Sequence, residues 1–95
     1  MKQEQLDAFL SSVSAVAGED GWSEVPAEQH ITLYAAHDGV GLTVSKVEAI
    51  KLDGELVRAR TRKGETYQVA LADLFAAAVE APKNGERKAG FAADR

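Results

Sequence analysis

The chain has no cysteine, two prolines, one methionine and only 6% aromatic residues, and each shortage removes a class of explanation. Without cysteine there is neither a disulfide framework nor a thiolate metal site. No apolar run approaches the roughly 20 residues needed to cross a bilayer as a helix. The N-terminus, Met1-Lys2-Gln3-Glu4-Gln5, also lacks the basic-then-apolar layout of a secretory leader. These features predict a cytoplasmic address with no membrane contact.

Positive charge is scarce as well: 11 Lys and Arg face 15 Asp and Glu, for a net charge of −4. Counterion release on nucleic acid needs clustered bases, so a nucleic acid is admitted as a partner but is not the favoured one. The only histidines, His30 and His37, lie seven positions apart on an extended pattern and point to opposite faces. Zinc requires three or four converging ligands, so no metal and no cofactor is expected. No serine sits in a G-x-S-x-G elbow, and Gly39-Val40-Gly41 lacks the third glycine and the following helix of a dinucleotide loop. With no catalytic residue to name, the expectation is that the protein is not an enzyme.

What is present describes a small folded domain. Hydrophobic residues make up 45% of the chain and charged residues 27%, a globular balance over a length that fits one core. Residues 1–81 read as a single α+β domain. Residues 82–95 carry two glycines, mixed charge and one large apolar side chain, Phe91, and read as a flexible tail.

Leu6, Phe9, Leu10, Val13, Val16 and Ala17 recur at helical spacing, with Gly18 as the expected C-terminal cap. The opposite face, Ala8, Ser11, Ser12 and Ala15, is small and uncharged. A solvated exterior accounts for it, and contact with a second copy in a homodimer is the other reading. Glu19 to Gln29 reads as a loop in which Trp22 covers the edge of the core. His30 to Ala36 alternates as the first full strand, followed by a turn at Asp38-Gly39-Val40-Gly41. Leu42 and Val44 continue at period two, and the parity slip before Val47 predicts a bulge at Ser45-Lys46.

From Gly41 to Leu71 the pattern is a β-meander. Asp53-Gly54 predicts a two-residue hairpin loop, placing Leu52 opposite Glu55 and Ile50 opposite Val57. At Arg62-Lys63-Gly64 a three-residue loop with Gly64 left-handed keeps the faces separate, setting Ala59 against Tyr67 and Val57 against Val69. Ile50, Val57, Ala59, Tyr67, Val69 and Leu71 then share a buried face, and Arg58, Arg60, Thr66 and Gln68 the other. Leu74 to Glu80 is expected to be a short helix capped by Asp73 and ended by Pro82. The fold expected is α+β: an N-terminal amphipathic helix packed on a four- or five-stranded antiparallel meander, flat or curled into a small open barrel, with a short C-terminal helix.

The candidate site is the stripe Arg58, Arg60, Arg62 and Lys63. Alternation sends Arg58 and Arg60 off one face beside the basic turn, where forked guanidinium groups could hold a phosphate or carboxylate, or touch a protein partner. The counterpart is a solvated sheet face with these arginines paired to Glu48, Glu65 or the acidic loop.

The spacing of Arg58 and Arg62 resembles the R-x-x-x-R half of the PilZ cyclic-dinucleotide signature, without its D/N-x-S-x-x-G half. The order Leu42, Val44, Val47, Ile50, Asp53-Gly54, Val57, Thr61, Gly64 and Tyr67 is similar to the first β-meander of LytTR-type DNA-binding domains. That resemblance implies a response-regulator output that inserts loops into the major groove. The family continues into an F-x-R-x-H-R-S segment, whereas here Phe91 is followed by Ala92, Ala93, Asp94 and Arg95, so no base-contacting residue carries over. The function expected is a non-catalytic binding or regulatory module acting through protein–protein contacts. The alternative is nucleic-acid or nucleotide binding through the arginine stripe, with LytTR-like transcriptional regulation as one form.

Overall fold

The computed structural model describes residues 1–80, which form one α-helix and seven antiparallel strands linked in a single sheet that does not close on itself. The expected tail, 82–95, lies outside the described residues. Helix α1 spans Gln3–Ser12, and at its start the Gln5 side chain accepts a hydrogen bond from the Lys2 N–H at 2.9 Å. The N-terminal ammonium donates to the Leu71 carbonyl at 3.0 Å and to that of Leu74, tying the first residue to the far end of the chain.

The helix ends earlier than its apolar spacing suggests. Ser14 takes a left-handed φ of 62°, while the Ser14 N–H reaches the Ser11 carbonyl and the Ala15 N–H reaches Leu10, each at 3.0 Å. This pair of bonds is a Schellman ending with serine where glycine is usual. Consecutive serines and a β-branched Val13 weaken the helix there, and the expected cap at Gly18 falls beyond the turn. Val16 therefore does not extend the buried stripe: it is exposed in strand β1 (Val16–Ala17).

The expected loop around Trp22 contains a second short strand, β2 (Trp22–Glu24), which pairs with β1 and with the later strand residues Ala49, Ile50 and Lys51. Strands β3 (His30–His37) and β4 (Val40–Asp53) meet through a two-residue turn. Its residues, Asp38 at φ 52° and Gly39 at φ 81°, supply the two left-handed positions that match the twist of a hairpin.

Strand β4 is the longest element, and the bulge expected at Ser45-Lys46 is present. Ile31 faces Val47 and Leu33 faces Val44, so β4 carries an extra residue, and Lys46 stands at φ 56°. Before the bulge β4 pairs with β3; after it, β4 pairs with β2 on one edge and with β5 (Leu56–Thr61) on the other. Strand β6 (Thr66–Ala70) continues from β5 in the register expected for the three-residue turn: Val57 faces Val69, Ala59 faces Tyr67, and Gly64 has φ 88°.

At Asp53-Gly54 the structure corrects the expected register. Leu52 faces Val57 and Asp53 faces Leu56, so the loop is Gly54-Glu55, with Gly54 at φ 64° in its first position. Only one loop residue is left-handed, and Asp53 remains in the ladder. The shift is two residues, so inward and outward faces are preserved.

The C-terminal expectation is also corrected. Leu74–Glu80 is strand β7, not a helix, and it lies against β3 with Ile31 facing Val79 and Leu33 facing Ala77. Asp73, the expected helix cap, instead belongs to a short 3₁₀ turn and lies 3.1 Å from Nδ1 of His37. Leu6, Val13, Ile31, Leu33, Val44, Val47, Ile50, Val57 and Leu74 form one buried cluster, drawn from the helix and from strands on both sides of the β4 bend. Each such side chain contributes on the order of 1.5–3 kcal/mol by leaving water.

Ser14 offers a direct test of the helix ending. Its left-handed backbone strains any residue with a Cβ, so Ser14→Gly should raise stability by about 0.5–1 kcal/mol in urea unfolding. An unchanged or lower midpoint would show that this ending is not the one the helix adopts.

Candidate functional site

The expected basic stripe divides into separate roles once the strands are paired. Arg58 and Arg60 do share the outward face of β5, between buried Val57, Ala59 and Thr61. Arg58 donates through Nε to Gln68 Oε1 across the β6 ladder at 3.0 Å, and its terminal nitrogen lies 3.8 Å from Asp53. Arg60 donates through Nε to Glu48 at 2.7 Å, and its guanidinium carbon sits 5.0 Å from the centroid of the Trp22 ring. Trp22 thus acts as a platform for an arginine on the outer face of the sheet.

Arg62 leaves this face. Its Nη2 donates to the carbonyls of Gln29 at 2.9 Å and Pro26 at 3.3 Å, fastening the turn that precedes β3. The Pro26 carbonyl already accepts the turn bond from the Gln29 N–H at 3.0 Å, so the half-buried guanidinium adds a second bond there and supplies one to the Gln29 carbonyl. Its Nε–H and the Oε1 of Gln29 are buried without a protein partner. Lys63, at the β5–β6 turn, is exposed and borders a hollow of about 220 Å³ shared with Thr43, Ser45, Lys46 and Glu65. The structure therefore brings Arg58 and Arg60 together and separates Arg62 and Lys63 from them.

The surroundings of Arg60 are acidic. A hollow of about 500 Å³ beside it is bordered by Glu19, Asp20 and Glu24 as well as Trp22. An anion approaching the Arg60 terminal nitrogens meets those carboxylates and the charge of Glu48 at Nε, a pairing that is about a third exposed and contributes on the order of 1 kcal/mol.

A different feature has no counterpart in the sequence reading. Val40, Leu42 and Val44 all lie on the core-facing side of β4, opposite His37, Ala35 and Leu33, yet their exposures are 71%, 39% and 4%. Among the described residues the core is open at the β3–β4 turn. Leu42 and Val40 form one wall of a hollow of about 500 Å³ whose other wall is Val69 and Ala70 of β6. At its rim His37 lies between two carboxylates, 3.1 Å from Asp73 and 3.4 Å from Asp38. The signal in the sequence was the alternation Val40, Leu42, Val44 itself: three inward apolar positions running up to a turn.

Further along the same seam, the Tyr67 hydroxyl donates to Glu65 at 3.3 Å. The Glu65 charge, and then this hydrogen bond, push the Tyr67 pKa above its ordinary value. Among the described residues no group of three or more His, Asp or Glu could hold a metal ion, and no helix is long and apolar enough to cross a membrane. No protein-family model, no curated protein and no solved structure matches this chain.

The two kinds of arginine should separate on mutation. Arg62→Ala removes two carbonyl hydrogen bonds together with one unpaired donor, and should cost about 1–2 kcal/mol in denaturant unfolding. Arg58→Ala should stay within about 0.5 kcal/mol of the parent, as exposed sites do. Equal losses would contradict the division of roles.

The Tyr67 shift gives a pH signature. A phenol whose folded pKa is raised holds its proton where the unfolded chain has lost it. The native state is thus penalised as pH rises through the unfolded value near 10 toward the folded one. Glu65→Gln should lower the Tyr67 titration followed by phenolate absorbance and relieve part of that alkaline destabilisation. A titration unmoved by the substitution would remove Glu65 as the cause.

Proposed function

We propose that the protein is a non-catalytic binding or regulatory module that acts through protein–protein contacts. The observation that carries this reading is the uncovered end of the core, where inward-facing Val40 is 71% exposed and Leu42 39%. Isolated apolar residues on a surface need no explanation, but core-facing residues beside a hollow mark a contact surface. The commitments of the stripe point the same way: Arg58, Arg60 and Arg62 hold Gln68, Glu48 and the 26–29 turn, and among the described residues Lys63 is the base of the four with no hydrogen bond or ion pair.

The second reading, nucleic-acid or nucleotide binding through Arg58 and Arg60, of which LytTR-like regulation is one form, requires an anion to approach past Glu48, Glu19, Asp20 and Glu24. A homodimer through α1 is a version of the first reading, since Ala8, Ser11 and Ser12 are exposed on the helix.

A photoreactive amino acid placed in the full chain at Val40, and separately at Arg58 and Thr66, tests the proposal in cells. The expected result is a recurrent, identifiable polypeptide adduct from position 40 and none of that identity from the other two. No adduct from position 40, or the same adducts from all three, would sink it. Retention on heparin at low salt that Arg58→Glu plus Arg60→Glu abolishes would favour the anionic alternative instead.

A further inference from the structure

The seam between the first half of β4 and β6 has the chemistry of a groove for one kind of ligand. Resting on the protein-contact reading above, we infer that it receives an extended segment of a partner protein as an added strand. That segment has alternating apolar side chains, a Lys or Arg at one end and an Asp or Glu at the other.

Three observations lead there. The first is a backbone edge left open among the described residues. Val40 to Ser45 pairs with β3 on one side, and β5 takes up the other side only from Val47 onward, with the Arg62 N–H bonding the Lys46 carbonyl just before it. In a two-residue hairpin the closing pair, here His37 and Val40, exchanges both ladder bonds. Val40, Leu42 and Val44 therefore bond toward β3, and the N–H and C=O groups of Gly41 and Thr43 point into the seam. Such a row of unpaired groups is what strand addition uses for affinity.

The second observation is the apolar wall. Alternate side chains of an added strand would lie against Val40 and Leu42, which are turned inward and exposed among the described residues, and against the half-buried Val69 across the hollow. Their burial supplies the driving force that edge hydrogen bonds, which replace bonds to water, do not.

The third is charge of opposite sign at the two ends. Asp38 and Asp73 stand at the Val40 end around His37, and Lys46 and Lys63 stand at the far end, where Glu65 is already engaged by the Tyr67 hydroxyl. Val40 to Lys46 spans about 20 Å of strand, so the charged groups of the ligand fall roughly six residues apart. The acidic end excludes a uniformly anionic ligand, and the lysine end excludes a uniformly cationic one. The bulge at Lys46 closes the groove by turning β4 away, which sets the length of segment that fits.

The test is selection of a displayed random heptapeptide library on the full chain, with counter-selection on Val40→Lys. Val40 is mostly exposed, so this variant is expected to fold, and its thermal melt checks that. Enriched peptides should alternate apolar residues between a basic and an acidic end. A synthetic copy of one should lose affinity by about tenfold or more on Val40→Lys and measurably on Asp38→Asn, which keeps a side chain suited to the left-handed turn. N-methylation of the peptide backbone at every second residue should abolish binding in one register and spare it in the other.

Failure to enrich any sequence over the Val40→Lys variant overturns the inference. So does binding that survives both N-methyl registers. Peptides that bind wild type and Val40→Lys alike, but fail on Arg58→Glu plus Arg60→Glu, would leave the protein-contact reading standing and reject this groove.

Discussion

The bend of β4 at Lys46 is the constraint on which the rest of this fold depends. One strand pairs with β3 before the bend and with β2 and β5 after it, so the sheet folds over itself and its two parts share a core. Lys46 holds a left-handed φ of 56°, a conformation that disfavours a side chain with a Cβ by on the order of 1–2 kcal/mol. That strain is small beside the burial of Val44 and Val47, the apolar residues flanking the bend, each under 5% exposed. The chain bends there because the bend lets both face the same core.

The parts of this arrangement set by local chemistry were legible. Apolar alternation fixed which face of β5 and β6 is inward, and the parity slip between Val44 and Val47 marked the bulge. Gly64 identified the three-residue turn because only that loop kept Val57 with Val69. The register at Asp53-Gly54 was not legible, because a slip of two residues changes no face and Asp-Gly and Gly-Glu both make acceptable loops.

Leu74–Glu80 was misread for a different reason. Leu74, Phe75, Ala78 and Val79 fit a helical stripe, and the three alanines favour helix intrinsically. The free edge of β3 overrode that preference: pairing with it puts Leu74 and Ala77 against the core and Phe75 beside Tyr34, with ring centroids 6.3 Å apart. A propensity of a few tenths of a kcal/mol per residue yields to a ladder and a buried leucine. The candidate site shows the same limit. That Arg58 and Arg60 share a face follows from period two, whereas their partners Gln68 and Glu48, and the capture of Arg62 by the 26–29 turn, depend on strand order.

Strand order also explains why the core is open where it is. Helix α1 contributes Leu6 and its C-cap contributes Val13 to the buried cluster, and the short β1 and β2 extend the second part of the sheet beside Ala49 to Lys51. Among the described residues nothing comparable covers the far end, where β3 and β4 run to their turn across a hollow from Val69 and Ala70 of β6. The Asp38-Gly39 turn needs its flanking residues in the ladder, so Val40 must continue the inward alternation even beyond the core. Exposure of Val40 and Leu42 is thus a direct consequence of a hairpin longer than the layer beneath it. Threonine would keep the strand propensity of those two positions while exposing less apolar surface, so the apolar identity of Val40 and Leu42 is not dictated by the ladder.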